Sequence, residues 1–72
     1  MIWSYDFIDL LLKEGYITED ESICLRNNND IVVDNRRLCI TQDLNNNYYL
    51  YVDDDFCIMY DTKRNKWKAY DI

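Results

Sequence analysis

Apolar residues near the start of the chain recur at the spacing of an α-helix. They are Phe7, Ile8, Leu11 and Leu12. This spacing puts all four on one side of a helix, with charged residues on the other side. Ser4 is suited to the N-cap, and Gly15 ends the helix after Glu14 because glycine adopts a left-handed conformation at little cost.

A second helix is predicted from a capping-box pattern. Thr18 is followed three residues later by Glu21, so that the side chain of each can bond the backbone N–H of the other. The helix continues to about Arg26 and is followed by three asparagines. Because only residues 15–17 separate the two helices, we expect a helical hairpin.

From residue 31 onward the pattern is typical of β-structure. Short runs rich in Val, Ile, Tyr and Phe alternate with Asn and Asp, which favour turns. No proline, repeat or linker divides the chain, so residues 1–72 form a single domain. The fold class is α+β, with an N-terminal helical hairpin packed on a four- to five-stranded antiparallel β-meander. The predicted strands are 31–33, 38–41, 48–52, 56–61 and 67–71, and the predicted turns are 34–37, 45–47, 53–55 and 62–65.

Alternation within the strands predicts which sheet face is covered. In the third strand, Tyr49 and Tyr51 share one face while Tyr48 and Leu50 share the other. The third and fourth strands are apolar on both faces, which favours central positions, whereas alternating lysines mark the last strand as a charged edge. Because the helices cover only one face, the other face is free for a partner.

The composition argues against an enzyme. The chain has no histidine and a single glycine, so a Ser–His or Cys–His pair and a glycine-rich phosphate loop are both excluded. Cys24, Cys39 and Cys57 form no CxxC pair, and without histidine they make a poor zinc site. We therefore expect no catalytic residue, no cofactor and no metal site.

Cysteine usage and segment length suggest a location. An odd number of cysteines suits a reducing compartment, in which thiols stay free. The apolar run at residues 10–12 is far shorter than the ~20 residues of a membrane helix, and we expect no signal peptide. We expect a soluble cytoplasmic protein.

Charge is distributed unevenly along this chain, whose net charge is −6. Residues 1–30 contain seven acids and two bases, residues 47–61 contain four acids and no base, and residues 62–72 contain four bases and one acid. Negative charge on one surface speeds association with a basic partner, and tyrosines beside it supply binding energy. The predicted partner-binding residues are Glu19, Asp20, Glu21, Asp53, Asp54, Asp55, Tyr48, Tyr49 and Tyr51.

The basic C-terminal segment supports a different prediction. Cations flank one tryptophan there, an arrangement that suits a phosphate backbone with one stacking platform. The residues that would bind nucleic acid are Lys63, Arg64, Lys66, Trp67 and Lys68. A charged turn beside an edge strand explains the same residues without a ligand, and the acidic remainder of the chain repels a polyanion.

In size, acidity, asparagine content and lack of catalytic motifs, the chain resembles small phage-encoded inhibitors of host defence, including anti-CRISPR and DNA-mimic proteins. This likeness of class implies a non-enzymatic inhibitor of a basic, nucleic-acid-handling protein in the host cell cytoplasm. An immunity or antitoxin-type protein that neutralises a basic toxin is one alternative, and a nucleic-acid binder is another. An acidic surface that only keeps the protein soluble also stays open, as does a homodimer formed through the uncovered sheet face.

Overall fold

The chain forms two helices followed by five strands in the computed structural model, which describes the backbone of residues 4–72 and the side chains of residues 6–72. All neighbouring strands pair antiparallel, in their order along the chain. This arrangement confirms the predicted helical hairpin and meander. The elements are α1 (Ser4–Lys13), α2 (Glu19–Asn27), β1 (Asp30–Val33), β2 (Arg36–Gln42), β3 (Tyr48–Val52), β4 (Phe56–Asp61) and β5 (Lys66–Asp71).

Two local features shape the helical hairpin. Gly15 follows α1 with a φ of 82°, and its N–H donates to the carbonyl of Leu12 at 3.1 Å. At the start of α2, Thr18 Oγ1 accepts a hydrogen bond from the N–H of Glu21 at 3.1 Å, and Glu21 Oε1 accepts one from the N–H of Thr18 at 2.8 Å. The predicted capping box is therefore confirmed. The side chain of Ser4 lies outside the described residues, so its role as N-cap stays a prediction.

The first hairpin turn is shorter than predicted. Only Asp34 and Asn35 connect β1 to β2, with φ values of 53° and 66°. Positive φ at both positions is typical of the two-residue turn whose twist matches the twist of the strands. As a consequence β2 begins at Arg36, inside the segment for which sequence alone predicted a longer turn. The strands β3 and β4 have the predicted bounds and are central in the sheet.

The core lies between the helices and one face of the sheet. Each large apolar side chain buried there stabilises the fold by roughly 1.5–3 kcal/mol relative to its exposed state. The ring of Phe7 on α1 stacks on that of Tyr48 on β3 at a centroid distance of 5.0 Å. The buried cluster consists of Phe7, Ile8, Leu11, Ile17, Leu25, Leu38, Ile40, Tyr48, Leu50, Ile58 and Tyr60.

The opposite face of the sheet points away from the helices and is called the outer face below. Alternation along the paired strands assigns thirteen residues to it. The predicted division of β3 is confirmed, because Tyr48 and Leu50 are buried while Tyr49 and Tyr51 are only half-buried. The outer face carries Asp30, Val32, Arg37, Cys39, Thr41, Tyr49, Tyr51, Cys57, Met59, Asp61, Lys66, Lys68 and Tyr70.

No helix in residues 4–72 is long and apolar enough to cross a membrane.

Candidate functional site

The turns of the meander lie alternately at two ends of the sheet. The β1–β2 turn, the β3–β4 turn and the last residues of β5 share the acidic end, whereas the β2–β3 loop and the β4–β5 turn share the basic end. The fold therefore places the acidic segment 53–55 and the basic segment 63–68 at opposite ends. The acidic end carries Asp34, Asp53, Asp54, Asp55 and Asp71, and the basic end carries Lys63, Arg64, Lys66 and Lys68.

Two further aspartates lie at the basic end, and the carboxylate of each accepts hydrogen bonds from backbone N–H groups of its own loop. Asp43 Oδ1 accepts hydrogen bonds from the N–H groups of Asn45 and Asn47 at 2.8 and 2.9 Å. Asp61 Oδ1 accepts from the N–H groups of Lys63 and Arg64 at 3.0 and 3.2 Å. Because side chains of this kind hold turns in place, these carboxylates are explained without a ligand.

The β3–β4 turn is held against β2 by hydrogen bonds. Asp53 Oδ1 accepts from the N–H of Arg37 at 2.8 Å, and the N–H of Asp53 donates to the carbonyl of Arg37 at 2.9 Å. Asp53 and Asp54 have φ values of 53° and 60°. Within residues 6–72, the carboxylates of Asp34 and Asp55 take part in no hydrogen bond or ion pair, and both residues are exposed. The acidic end thus presents one unpaired carboxylate on each of its two turns, Asp34 on the β1–β2 turn and Asp55 on the β3–β4 turn.

Arg37 is the cation that lies among these carboxylates. Its Nη1 is 2.8 Å from Asp54 Oδ2, and its Nε and Nη2 bind the two oxygens of Asp30 at 3.1 and 2.9 Å. The hydrogen bonds from Arg37 hold the pKa of Asp30 below its usual value, and the two carboxylates raise the pKa of Arg37. One guanidinium therefore serves two acids, and net negative charge remains at this end.

The three predicted contact acids of α2 differ in burial. Glu19 and Asp20 are exposed in the first turn of α2, where they suit a contact with a partner. Glu21 is only 3% exposed, because its carboxylate closes the capping box and lies 3.6 Å from Arg36 Nε. The prediction that Glu21 contacts a partner at the surface is corrected by this position inside the fold.

The three predicted tyrosine anchors also differ in burial. Tyr48 is 1% exposed, so the prediction that it meets a partner is corrected: its ring is part of the core. Tyr49 and Tyr51 lie on the outer face with their rings stacked at 6.3 Å. The hydroxyl of Tyr49 donates to Asp43 Oδ2 at 2.8 Å, which raises the pKa of Tyr49. Hydrogen bonds from Asn47 and Tyr49 lower the pKa of Asp43.

Tyr70 is an outer-face residue that was not predicted as a contact. It lies opposite Cys57 in the β4–β5 ladder and is 45% exposed. The neighbouring thiol of Cys57 raises the pKa of Tyr70 to about 12. The period of two in β5, which places Lys66, Lys68 and Tyr70 on one face, was the signal in the sequence that would have identified it.

The basic end offers cations without a free aromatic ring. Lys63, Arg64, Lys66 and Lys68 are all exposed. Trp67, in contrast, points toward the core, with its ring 4.7 Å from that of Tyr60. It also packs against the rings of Tyr16 at 5.2 Å and Phe7 at 6.0 Å. The predicted stacking platform for a nucleic-acid base is therefore occupied by the protein itself.

No group of three or more Cys, Asp or Glu residues that would hold a metal ion comes together in the described part of the chain. No protein-family model matches the chain, and no match was found among curated proteins or among solved structures. Fold and site together define an acidic α+β protein of two helices and a five-stranded meander, with charges of opposite sign at the two ends of its sheet.

Proposed function

We propose that this chain is a small non-enzymatic inhibitor that binds a basic, nucleic-acid-handling protein through its acidic end. The observation that supports the proposal most is the separation of charge, because the basic segment lies at the far end of the sheet and leaves the acidic end only partly neutralised, by Arg37. Anti-CRISPR and DNA-mimic proteins encoded by phages are the class in which we place it. A protein that binds phosphates presents rows of Lys and Arg, to which a surface of carboxylates is complementary.

The geometry of the acidic end favours binding of this kind. The β3–β4 turn is tied to Arg37 by two hydrogen bonds of 2.8 and 2.9 Å. Because its backbone is already ordered, little conformational entropy is lost when its carboxylates bind a partner. Arg36 begins β2 and contacts Glu21, so the first turn of α2 with Glu19 and Asp20 lies beside the start of β2. Tyr51, two residues before Asp53 on the outer face, is an aromatic anchor beside this turn.

The proposed location is the cytoplasm, which is the host cytoplasm for a phage-encoded protein. Cys24, Cys39 and Cys57 are all free thiols. Cys57 and Cys39 lie on β4 and β2, which are separated by β3, so their Cα atoms are roughly 9–10 Å apart, beyond the ~7 Å limit for a disulfide. Free thiols persist in a reducing compartment.

Direct nucleic-acid binding is a second candidate, supported by the exposure of the four cations at the basic end. Because the ring of Trp67 is not free for stacking, binding would depend on the four cations alone. The overall net charge of −6 would repel the phosphates of the nucleic acid. An antitoxin-type protein would use the acidic end in the same way as the inhibitor. The identity of the captured protein separates those two functions.

The test uses a triple variant in which Asp53, Asp54 and Asp55 are each replaced by Asn. Asparagine tolerates positive φ and keeps an acceptor oxygen for the N–H of Arg37, so the turn should persist. The matched control is Asp6→Asn/Asp9→Asn/Glu14→Gln. Like the triple variant, this control removes three exposed charges and one exposed ion pair, which here is that of Asp9 with Arg26. Its three positions lie on α1 and at Glu14, directly after α1.

Wild-type protein is immobilised and used to capture proteins from a host-cell extract, and captured proteins are challenged with duplex DNA. We expect a basic protein that duplex DNA releases, and an association rate that falls about tenfold or more at low salt in the triple variant but not in the control. Equal rates for wild type and triple variant would refute the proposal. Neutralisation of a toxin would establish the antitoxin alternative, and salt-dependent binding of an oligonucleotide by the pure protein would establish the basic-end function.

A further inference from the structure

The outer face differs from the polar surface that a solvated sheet presents. At the central strands it carries the half-buried residues Tyr49, Tyr51 and Met59, together with Cys57, whose side chain is fully buried; none of the four is charged. Antiparallel sheets with one wet face normally alternate apolar and polar residues along each strand, and here β3 and β4 do not. Tyr70, opposite Cys57 and 45% exposed, extends this apolar surface to the edge strand β5, whereas Val32 on β1, 67% exposed, lies opposite Arg37.

Apart from Asp43, whose carboxylate is bound by the hydroxyl of Tyr49, charge on this face lies at two opposite corners. The acidic corner consists of Asp30, Asp53 and Asp54 around Arg37, beside the β1–β2 and β3–β4 turns. The basic corner consists of Lys66 and Lys68 at the start of β5, with Asp61 opposite Lys66 in the ladder. The stacked rings of Tyr49 and Tyr51 lie between the two corners.

We infer that the outer face binds the outer face of a second copy of this chain. A uniformly basic partner laid across the face would place positive charge against Lys66 and Lys68, and a uniformly acidic partner would place negative charge against Asp54. Like charges repel each other in both cases. A second copy avoids both conflicts. A two-fold axis in the plane of contact, perpendicular to the line that joins the corners, brings the basic corner of each copy onto the acidic corner of the other. The tyrosines of both copies then meet near the axis.

The size of the face sets the strength of this contact. Strands about 4.8 Å apart, with about six residues rising ~3.3 Å each, give five strands a face of roughly 450 Å². Two such faces bury roughly 900 Å², somewhat less than the ~1,200 Å² of a stable interface. The dimer is therefore weak and depends on concentration. It requires no other protein, so this inference does not rest on the proposed function. Because the dimer covers Asp53, Asp54 and Tyr51, a basic partner that binds these residues would compete with it.

One variant tests the centre of the contact. Met59 lies opposite Lys68 in the β4–β5 ladder, so in Met59→Glu the new carboxylate gains a cross-strand ion pair in the monomer. In the dimer the same carboxylate is enclosed between two apolar faces without a new partner. We expect the dimer dissociation constant to rise by about tenfold or more.

A second variant tests the corners and has a matched control. Lys66→Glu/Lys68→Glu reverses the basic corner, whereas Lys63→Glu/Arg64→Glu makes the same change in net charge within the β4–β5 turn, beyond the strand faces. Sedimentation equilibrium of the pure protein from ~10 µM to ~1 mM at low salt measures the dissociation constants, in a range where such weak association is detectable. Circular dichroism checks that each variant is folded.

The inference predicts a wild-type dimer that weakens with added salt, is weakened about tenfold by the corner variant and by Met59→Glu, and is changed little by the control. A monomer at every concentration overturns it. A dimer that both variants leave intact overturns it as well, since another surface must then form the contact, and so does an equal effect of the control. If Met59→Glu does not fold, the corner variant and its control decide alone.

Discussion

Arg36 Nε lies 3.6 Å from Glu21 Oε2, and this ion pair joins the start of β2 to the first turn of α2. The same guanidinium donates through Nη2 to the carbonyl of Tyr16 at 2.8 Å. Arg36 Nε is buried and makes no hydrogen bond within the described residues, so the carboxylate of Glu21 is the group that compensates its charge. A residue predicted to be an outward-facing acid is thereby a link between the two layers of the fold.

Glu21→Ala is expected to lower the free energy of unfolding by about 2–3 kcal/mol, because it removes half of a capping box and leaves a buried donor uncompensated. Glu19→Ala, two residues earlier on the exposed side of α2, should change it by less than about 0.5 kcal/mol. Urea unfolding followed by circular dichroism measures both. Equal losses in the two variants would contradict the structural role of Glu21.

The connection between the helices depends on Gly15. A Cβ atom at this position would meet no atom within 4 Å beyond the neighbouring residues of the chain, so the cost of a side chain arises from the backbone conformation alone, at a φ of 82°. We expect Gly15→Ala to cost about 1–2 kcal/mol. Gly15→Asn should cost less, because asparagine tolerates the left-handed region. Chemical denaturation of the two variants checks the order, and an alanine variant as stable as wild type would show that the connection has changed conformation.

Acid sensitivity is expected from Asp43, whose pKa in the folded protein lies below the ordinary value of 3.8. Folding favours its ionised form, so the stabilisation is complete above about pH 4 and is lost as the pH falls through the lowered pKa. Asp43→Asn retains an acceptor for the N–H groups of Asn45 and Asn47 but cannot titrate. Stability measured between about pH 5 and pH 2 should therefore fall less steeply in this variant than in wild type. Identical pH profiles would count against the hydrogen-bonded loop.

The phenol of Tyr70 should titrate near pH 12 because of the thiol of Cys57, which lies opposite it in the β4–β5 ladder. In Cys57→Ala this thiol is absent, and the pKa should move back toward the ordinary value of 10. Carbon-13 NMR of labelled tyrosine rings follows each phenol separately. Cys24→Ala, which changes a thiol on α2, serves as the control. An unchanged pKa for Tyr70 in the Cys57 variant would mean that another group sets it.

Much of the acidic site could be identified from the sequence, but not the roles of its members. The acids at 53–55 were expected on an exposed turn, and they are there because aspartate tolerates the positive φ that such a turn needs. That Arg37 pairs with Asp54 could not be expected, since the two residues are seventeen positions apart and meet only through the β2–β3 register. Tyr48 and Tyr49 differ in burial because the helices cover one sheet face, which composition does not reveal.

Local patterns in the sequence determined the elements themselves: the capping box at Thr18, the end of α1 near Gly15 and the alternation within Tyr48–Val52. Caps, turns and strand faces depend on residues a few positions apart, so a linear pattern is enough to predict them. Only the tertiary structure decided that Glu21 faces Arg36, that Trp67 is packed against the core, and that the acidic and basic segments lie at opposite ends of the sheet. These relationships depend on strand order, register and helix packing, which are set by the burial of the whole apolar surface at once.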